Sequence, residues 1–309
     1  MRRGTTMKTL IIYFSQTGNT MKVAESIRNG IIEVIAQCEL ERMAEVDIGS
    51  LSEYDLVGFG CPVFYYKEPF NVRDFIENLP ELQGKKWFVF CSHGAVMGVT
   101  LLSMTEKLEK KGITVIGSHH TYADVTIPFY PYPTVTTGHP DNDDLEKAHA
   151  FGKEIALCSI AVANGNTDCI KKPVPVTEEW ASNEASMFTI ELMTKIMPRL
   201  SINKATCTKC GECQNGCPIN GIDTESDPPR IQEPCIFCWH CANICPTCSV
   251  EADWSMLVEM APGNYKRYIE ALNNAQARGE FRWLIGPDSI SYDAPLYQQR
   301  ERKTKKDYE

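Results

Sequence analysis

The first half of the chain alternates between short apolar runs and longer segments whose apolar residues recur at helical spacing. Residues 8–14 read KTLIIYF, a continuous run rich in β-branched and aromatic side chains. Such a run is typical of a strand buried on both faces of a parallel sheet. The pattern predicts strands near residues 8–14, 40–46, 54–60, 86–91 and 113–122, with helices between them, and therefore an α/β domain built on a parallel sheet.

Helical patterns continue beyond the last predicted strand. Residues 141–163 begin with Asp-Asn-Asp-Asp, a sequence that caps helices, and continue as a helix. Residues 164–176 contain glycine and proline and are predicted to be a linker. Further helices are predicted near residues 184–197 and 265–278, and the charged residues 300–309 are expected to be a solvated tail.

A loop rich in hydroxyl groups joins the first predicted strand to the first predicted helix. The first N–H groups of a helix have no partner within it, and the partial positive charge there favours a phosphate. Gly18 allows a backbone conformation that other residues resist, and the loop's side chains add donors. The alternative is a helix whose first turn is simply well capped. The loop has neither the Gly-Lys-Ser/Thr of a P-loop nor a Gly-x-Gly-x-x-Gly. Its sequence is Ser15-Gln16-Thr17-Gly18-Asn19-Thr20.

The pattern Ser/Thr-x-Thr-Gly-Asn-Thr after a first strand resembles the phosphate loop of flavodoxins, which binds the phosphate of FMN. This resemblance implies a flavodoxin-like five-stranded parallel sheet in the order 2-1-3-4-5, with FMN at the carboxyl ends of the strands. It also implies FMN-binding residues in three loops: Ser15, Gln16, Thr17, Gly18, Asn19 and Thr20; Pro62, Val63, Phe64, Tyr65 and Tyr66; and Ser92, His93 and Gly94.

The second and third of these loops leave the roles of individual side chains open. Phe64, Tyr65 and Tyr66 suit a flat ring that needs a stacking surface. Alternatively, they cover the edge of the sheet. His93 is interpreted either as a hydrogen-bond partner of the flavin ring or as a loop residue that faces water. Short-chain flavodoxins carry a tryptophan in the second loop, which this chain lacks, so the stacking residue is not identified.

Eight cysteines in the second half repeat one spacing. Each run reads C-x2-C-x2-C-x3-C-P, the ligand run of bacterial two-cluster ferredoxins. Three thiolates two residues apart can surround three corners of a cubane cluster, while the fourth cysteine reaches the other cluster. We therefore predict one [4Fe–4S] cluster on Cys207, Cys210, Cys213 and Cys245, and a second on Cys235, Cys238, Cys241 and Cys217. The residues between the runs, 221–234, are predicted to form a hairpin, and the repeat predicts approximate two-fold symmetry.

Zinc and disulfides are the alternatives for these cysteines. Zinc needs only pairs of C-x2-C and does not require a third cysteine at the same interval followed by C-P. A disulfide framework suits short secreted chains, whereas this chain has 309 residues. Most of the scattered cysteines are interpreted as small buried hydrophobic residues; they are Cys38, Cys61, Cys91, Cys158 and Cys169. Cys248 is interpreted as a spare thiol near a cluster.

Composition and charge argue against several other classes of protein. Hydrophobic residues make up 43% and charged residues 23%, as in an ordinary globular protein. No apolar run approaches the ~20 residues of a membrane span. The net charge of −9 argues against nucleic-acid binding and is compatible with docking to a basic patch on a redox partner. Because no secretory signal pattern is visible, we expect a cytoplasmic protein.

Together, these features resemble the fusions of a flavodoxin-like protein with a C-terminal 2[4Fe–4S] ferredoxin domain that occur in anaerobic bacteria and archaea. The resemblance implies a flavodoxin-like domain at residues 1–163 and a linker with a connecting helix at 164–198. A small α+β ferredoxin-like domain is expected at 199–250, followed by a helical extension and tail at 251–309. Relatives with long loops often dimerise, so a homodimer is an open alternative to a monomer.

Two functions fit this set of cofactors. The first is electron transfer, in which low-potential electrons pass between the clusters, FMN and a ferredoxin-like or reductase partner. The second is FMN-dependent reduction of a small quinone, nitro or enone compound, with the clusters as the source of electrons. His93, Tyr65 and Tyr66 are the only acid–base candidates near the predicted flavin loops, which favours the electron carrier.

Overall fold

The computed structural model describes residues 7–174, 178–293 and 295–299. Its first half contains a five-stranded parallel sheet in the order β2-β1-β3-β4-β5, as predicted. The strands are β1 (Thr9–Tyr13), β2 (Cys38–Arg42), β3 (Leu56–Pro62), β4 (Lys86–His93) and β5 (Thr114–Tyr122). The prediction for β2 was wrong at its end, because Glu45 N–H donates to Arg42 O and turns the chain before residue 46.

Four helices cover the two faces of this sheet. They are α1 (Asn19–Ile32), α2 (Phe70–Glu77), α3 (Thr100–Glu109) and α4 (Asn142–Ala163). Helices α1 and α4 bury one face, and α2 and α3 bury the other. Asp141 caps α4 in a reciprocal pair with Asp144, as the acidic start of that segment predicts.

The segment predicted as one helix near residues 184–197 is two helices, α5 (Glu179–Met187) and α6 (Ile190–Ile196). The break falls at Phe188 and Thr189. The Thr189 hydroxyl accepts a hydrogen bond from Leu192 N–H and starts the second helix. A threonine that binds its own backbone in this way favours a cap over a helix interior.

The second half contains much shorter elements. They are β6 (Ser201–Ile202), α7 (Glu212–Asn215), β7 (Ile222–Asp223), β8 (Arg230–Ile231), α8 (His240–Ile244) and β9 (Val250–Glu251). Strands β7 and β8 form the antiparallel hairpin predicted between the cysteine runs, and β6 pairs with β9. The helices α7 and α8 begin at equivalent positions of the two runs, so the backbone repeats with the sequence.

The helix predicted at residues 265–278 is longer. Helix α9 (Ser255–Ala277) contains Pro262, and the Asp253 carboxylate accepts hydrogen bonds from Ser255 at its start. Its Tyr265, Tyr268 and Leu272 are buried in a core that includes residues of both halves of the molecule. A short helix, α10 (Leu296–Gln299), follows. The region after residue 250 is therefore part of the core and not a peripheral extension.

The scattered cysteines divide into two groups. Cys38, Cys61 and Cys91 are buried free thiols, as predicted. Cys158 and Cys169 form a disulfide, so the interpretation as small buried hydrophobic residues, made for most of the scattered cysteines, does not apply to these two. The turn after α4, with Gly165 at φ +89°, reverses the chain and allows the two residues to meet.

Some sequence predictions cannot be compared with the structure. Residues 1–6, the end of the linker at 175–177, residue 294 and the charged tail at 300–309 lie outside the described residues. Across the part of the chain that is described, no helix is both long enough and apolar enough to cross a bilayer.

Candidate flavin and iron–sulfur sites

The loop from Ser15 to Gly18 leads directly from β1 into α1. Gly18, at φ +85°, precedes the helix, and no side chain caps its first turn, which also lacks acidic residues. Among the described residues, the buried Ser15 hydroxyl has no hydrogen-bond partner. The alternative of a merely well-capped helix therefore does not hold. Unpaired N–H groups and orphaned polar side chains are what a phosphate requires.

Hydrogen bonds join this loop to two others. Thr20 Oγ1 lies 2.7 Å from Ser92 Oγ, and Asn19 Nδ2 donates to Asp124 O at 3.2 Å. The Asp124 carboxylate accepts bonds from Thr134 and Thr137. Residues 124–137 thus contribute to the region around the predicted phosphate site.

The loop after β3 makes a tight turn over the end of the sheet. Val63 N–H donates to Ser92 O, and Phe64 pairs with Lys67 through two backbone hydrogen bonds. Tyr65 and Tyr66 occupy the turn with φ of 52° and 63°, in the left-handed region that bulky residues rarely adopt. Such backbone strain concentrates at functional sites. Pro62, the last residue of β3, leads into this turn.

The three aromatic side chains of this loop have separate environments. Phe64 packs edge-on against Phe14, with ring centroids 6.3 Å apart, and covers the sheet edge. Tyr65 donates to Phe237 O at 2.7 Å, and the Tyr66 hydroxyl lies 2.8 Å from that of Tyr268. Both tyrosines therefore contact the second half of the chain. Whether these tyrosines stack on the flavin stays a prediction.

His93 is buried at the end of β4. Its Nδ1 donates to Gly94 O at 2.8 Å, and its Nε2 lies 2.9 Å from His120 Nδ1. Burial holds the pKa of His93 well below its ordinary value, with further lowering by the neighbouring His120. The alternative of a loop histidine that faces water does not fit this placement. As placed, neither ring nitrogen is free for a flavin.

Two cavities lie among the cysteine runs. One is lined by Cys217, Cys235, Cys238 and Cys241. The other is lined by Cys207, Cys210, Cys213 and Cys245. Each cavity therefore collects three cysteines of one run and the last cysteine of the other, the grouping that the spacing predicts.

Backbone N–H groups point at the thiol sulfurs in matched pairs. Lys209 N–H donates to Cys207 Sγ at 3.4 Å, and Phe237 N–H donates to Cys235 Sγ at 3.3 Å. The last cysteine of each run accepts from the residue four positions later, at 3.2 Å in the first run and 3.1 Å in the second. Hydrogen bonds to cluster sulfurs help to set the reduction potential, so this arrangement fits iron–sulfur clusters.

The same thiols do not fit a single metal ion. Among the described residues, no three His, Cys, Asp or Glu side chains come close enough to hold one. Zinc gathers its ligands around one atom, whereas a cubane cluster spreads four thiolates over four irons. Burial raises the pKa of Cys235 to about 12. Coordination removes such a proton, because a metal-bound thiol is deprotonated.

The cavity of the second run lies next to the predicted flavin loops. Burial raises the pKa of Cys238, and the facing Gln16 amide partly opposes that rise. Asn243 Nδ2 donates to Thr126 O at 2.6 Å. The predicted phosphate loop and the second cysteine run therefore lie next to each other within one chain.

Comparison with known proteins supports two kinds of domain. A model of the flavodoxin domain matches residues 10–115, and a model of the 4Fe-4S dicluster domain matches residues 199–246. A flavodoxin of Maridesulfovibrio salexigens is 37% identical over 125 residues, which cover 36% of this chain and 82% of that protein. An uncharacterized ferredoxin of Methanocaldococcus jannaschii is 31% identical over 58 residues, covering 18% of this chain and 94% of that protein.

A third relative is an NAD(P)H dehydrogenase (quinone) of Archaeoglobus fulgidus, 28% identical over 181 residues that cover 48% of this chain and 94% of that protein. Together with the fold and the two cavities, the matches define a flavo-iron–sulfur electron-transfer protein. The chain belongs to the flavodoxin family and carries a C-terminal 4Fe-4S dicluster domain fused to it. Its cofactors are FMN and two [4Fe–4S] clusters.

Proposed function

We propose that this protein is an electron carrier that exchanges low-potential electrons with a redox partner protein, either a ferredoxin-like donor or an acceptor reductase. Clusters transfer one electron at a time and FMN can hold one or two, so the pair can convert between one- and two-electron chemistry. The observation that carries the proposal is the contact of the second cysteine run with the loops after β1, β3 and β5. No second copy of the chain is needed to bring these parts together.

We also propose that the predicted residues hold the cofactors. The six residues from Ser15 to Thr20 would bind the FMN phosphate, supported by the uncapped helix and the orphaned Ser15 hydroxyl. The two sets of four cysteines would hold one cluster each, supported by the two cavities. The proposed segments remain 1–163, 164–198, 199–250 and 251–309, supported by the end of α4 at Ala163 and of β9 at Glu251.

Buried hydroxyls and aromatic rings between the halves support fast, repeated electron transfer. Tyr268 pairs with the hydroxyls of Tyr66 and Tyr130 at 2.8 and 3.0 Å. Trp180 packs against Tyr66 and lies under the Arg267 guanidinium. These side chains exclude water and fix the orientation of the two halves. A rigid, dry contact of this kind suits a carrier that changes charge without rearranging.

Reduction of a small molecule at FMN is a second candidate, favoured by the similarity to the quinone dehydrogenase of Archaeoglobus fulgidus. Its acid–base chemistry would have to come from His93, Tyr65 or Tyr66. Both ring nitrogens of His93 pair within the protein, and both tyrosine hydroxyls bond to the second half of the chain. This engagement supports the carrier over the reductase.

Stopped-flow oxidation under anaerobic conditions tests the proposal. The fully reduced protein would be mixed with an oxidised ferredoxin and, separately, with quinone, nitro and enone compounds. We expect electrons to reach the ferredoxin much faster than any small molecule. Rapid turnover of one small-molecule class, with slow transfer to the ferredoxin, would establish the reductase instead.

A further inference from the structure

The two cysteine runs share a backbone but present different side chains. Residues at equivalent positions have positive φ in both runs, 54° at both Lys209 and Phe237 and 52° and 54° at Asn220 and Cys248. Between its first three cysteines the first run carries Thr, Lys, Gly and Glu, and the second carries Ile, Phe, Trp and His. In the first set two residues are exposed and two are half-buried, whereas all four of the second set are buried. One half of the repeat therefore faces water and the other half faces protein.

Trp239 occupies a position where the repeat favours glycine. The equivalent residue of the first run is Gly211, at φ +80°, and Trp239 adopts φ +60°. Glycine takes this conformation freely, whereas a bulky side chain is strained in it. Packing compensates for that strain, because the indole lies 5.9 Å from the ring of Phe129 and 5.2 Å from that of Trp254. Phe129 belongs to the loop that follows β5, on the flavin side.

Asn243 and Asn215 form a second matched pair. Each lies two residues after the third cysteine of its run. Asn215 is exposed, whereas Asn243 is buried and donates to Thr126 O at 2.6 Å. The same amide is thus solvated in one run and anchored to a flavin-side loop in the other.

Two further contacts join loops of the flavodoxin half to the second cysteine run. Tyr65, in the loop after β3, donates to Phe237 O at 2.7 Å. Gln16, in the predicted phosphate loop, directs its buried amide at the thiol of Cys238. Loops following β1, β3 and β5 therefore all contact residues between Cys235 and Cys245, and those strands end at the same edge of the sheet.

We infer that the second cysteine run is the flavin-coupled half of the ferredoxin module, and that Trp239 and Asn243 are positioning residues that hold it against the flavin loops. The first run, in which Cys210 is exposed, is then the half that contacts an external one-electron carrier. This inference rests on the proposed function, because it assumes that both kinds of cofactor work together in one chain.

The matched asparagines provide the test. Full-length protein with its cofactors, prepared anaerobically, would be poised half-reduced, and the relaxation of the flavin EPR signal would be measured by power saturation. A reduced cluster nearby speeds that relaxation. We expect Asn243→Ala to lose most of this enhancement while FMN and iron contents stay unchanged. Asn215→Ala should behave as the unaltered protein.

Substitution of Trp239 provides a second test, in which a conservative variant should restore the effect. Trp239→Gly restores the residue that the first run carries, so the cluster loop should still form while the contact with Phe129 is lost. We expect the flavin relaxation to slow in this variant and to recover in Trp239→Phe. A purely structural role would instead lower iron content in both variants.

Several outcomes would overturn the inference. Equal loss of enhancement in Asn243→Ala and Asn215→Ala would remove the distinction between the runs. Loss of enhancement in Cys210→Ala, with normal enhancement in Asn243→Ala and Trp239→Gly, would assign the coupling to the first run. Normal flavin–cluster relaxation together with failure to reduce a ferredoxin would refute the proposed function alone. Absence of FMN from the unaltered protein would refute both.

Discussion

The two halves of this molecule are stabilised by different means. In the flavodoxin half, every residue of β1 is buried, and long helices bury both faces of the sheet. In the ferredoxin half, the strands have two residues each and the helices α7 and α8 have four and five. Elements this short cannot supply a sufficient core, and such domains depend on metal binding or on a neighbour. Cofactor binding and docking therefore stabilise the ferredoxin half, whereas hydrophobic burial stabilises the flavodoxin half.

Removal of iron should give the largest effect. Because metal binding and folding are coupled in domains with small cores, anaerobic chelation under reducing conditions should unfold residues 199–250. The flavodoxin sheet should persist. Hydrogen exchange read peptide by peptide would show loss of protection in the first region and retention in β1, β3 and β4. Equal protection of both regions without iron would contradict the comparison.

Removal of one crossing ligand should damage half of the iron–sulfur content. Cys217 belongs to the first run but lines the cavity of the second. Cys217→Ala should therefore weaken the cluster held mainly by Cys235, Cys238 and Cys241, and iron should fall from about eight toward about four per chain. EPR and iron analysis would measure this. Damage confined to the first-run cluster would refute the crossed arrangement.

A change in the phosphate loop should act on the flavodoxin half alone. Thr17→Glu places negative charge where the helix N-terminus attracts a phosphate, so FMN binding should be abolished. The iron content should stay at about eight per chain. Absorbance and iron analysis give both values. Retained flavin would mean that the loop does not bind the phosphate, and Thr17→Ser serves as the control.

Helix packing in the flavodoxin half allows a smaller and more local test. A Cβ on Gly152 would clash with the backbone oxygen of Ile27, because α1 and α4 cross in backbone contact. Gly152→Ala should therefore destabilise this half by about 1–3 kcal/mol through overpacking. Gly263→Ala, in α9, has open space around the added carbon and should stabilise by about 0.5–1 kcal/mol. Denaturant unfolding, monitored by the release of flavin, would compare the free energies of unfolding of the two variants.

A graded effect, comparable in size to that of the helix-packing test, should come from pH. His119 stacks on Phe151, with centroids 5.1 Å apart, and burial lowers its pKa to about 3. In the unfolded chain its pKa is about 6.5, so below that pH the unfolded state binds more protons and stability falls as pH falls. The slope from this residue cannot exceed about 1.4 kcal/mol per pH unit. His119→Phe should lose less stability than the unaltered protein between pH 7 and pH 5. Parallel unfolding curves would refute the assignment.

Local pattern was sufficient for much of the fold. Continuous apolar runs located β1, β3 and β4, whereas β2, which is not such a run, was predicted at residues 40–46 and lies at Cys38–Arg42. The spacing of the cysteines predicted which four would surround each cavity. The predictions that were wrong failed for physical reasons. The disulfide between Cys158 and Cys169 depends on how the chain turns after α4, and spacing alone does not encode that turn. Helix α9 begins earlier than its apolar pattern indicates, at Ser255, where the Asp253 carboxylate accepts hydrogen bonds from the Ser255 N–H and hydroxyl.

The sequence by itself determined the class of each half, because buried strands, helix starts and cluster ligands are all specified by residues close together in the chain. Only the tertiary structure decided what surrounds each functional side chain. Tyr65 meets Phe237 across 172 positions, and Tyr66 meets Tyr268 across 202. Such contacts depend on the shapes of two surfaces that form only after folding. Contacts of this kind also explain why two cysteine runs with the same spacing have different surroundings. The second run lies in a protein interface, and the first run faces water.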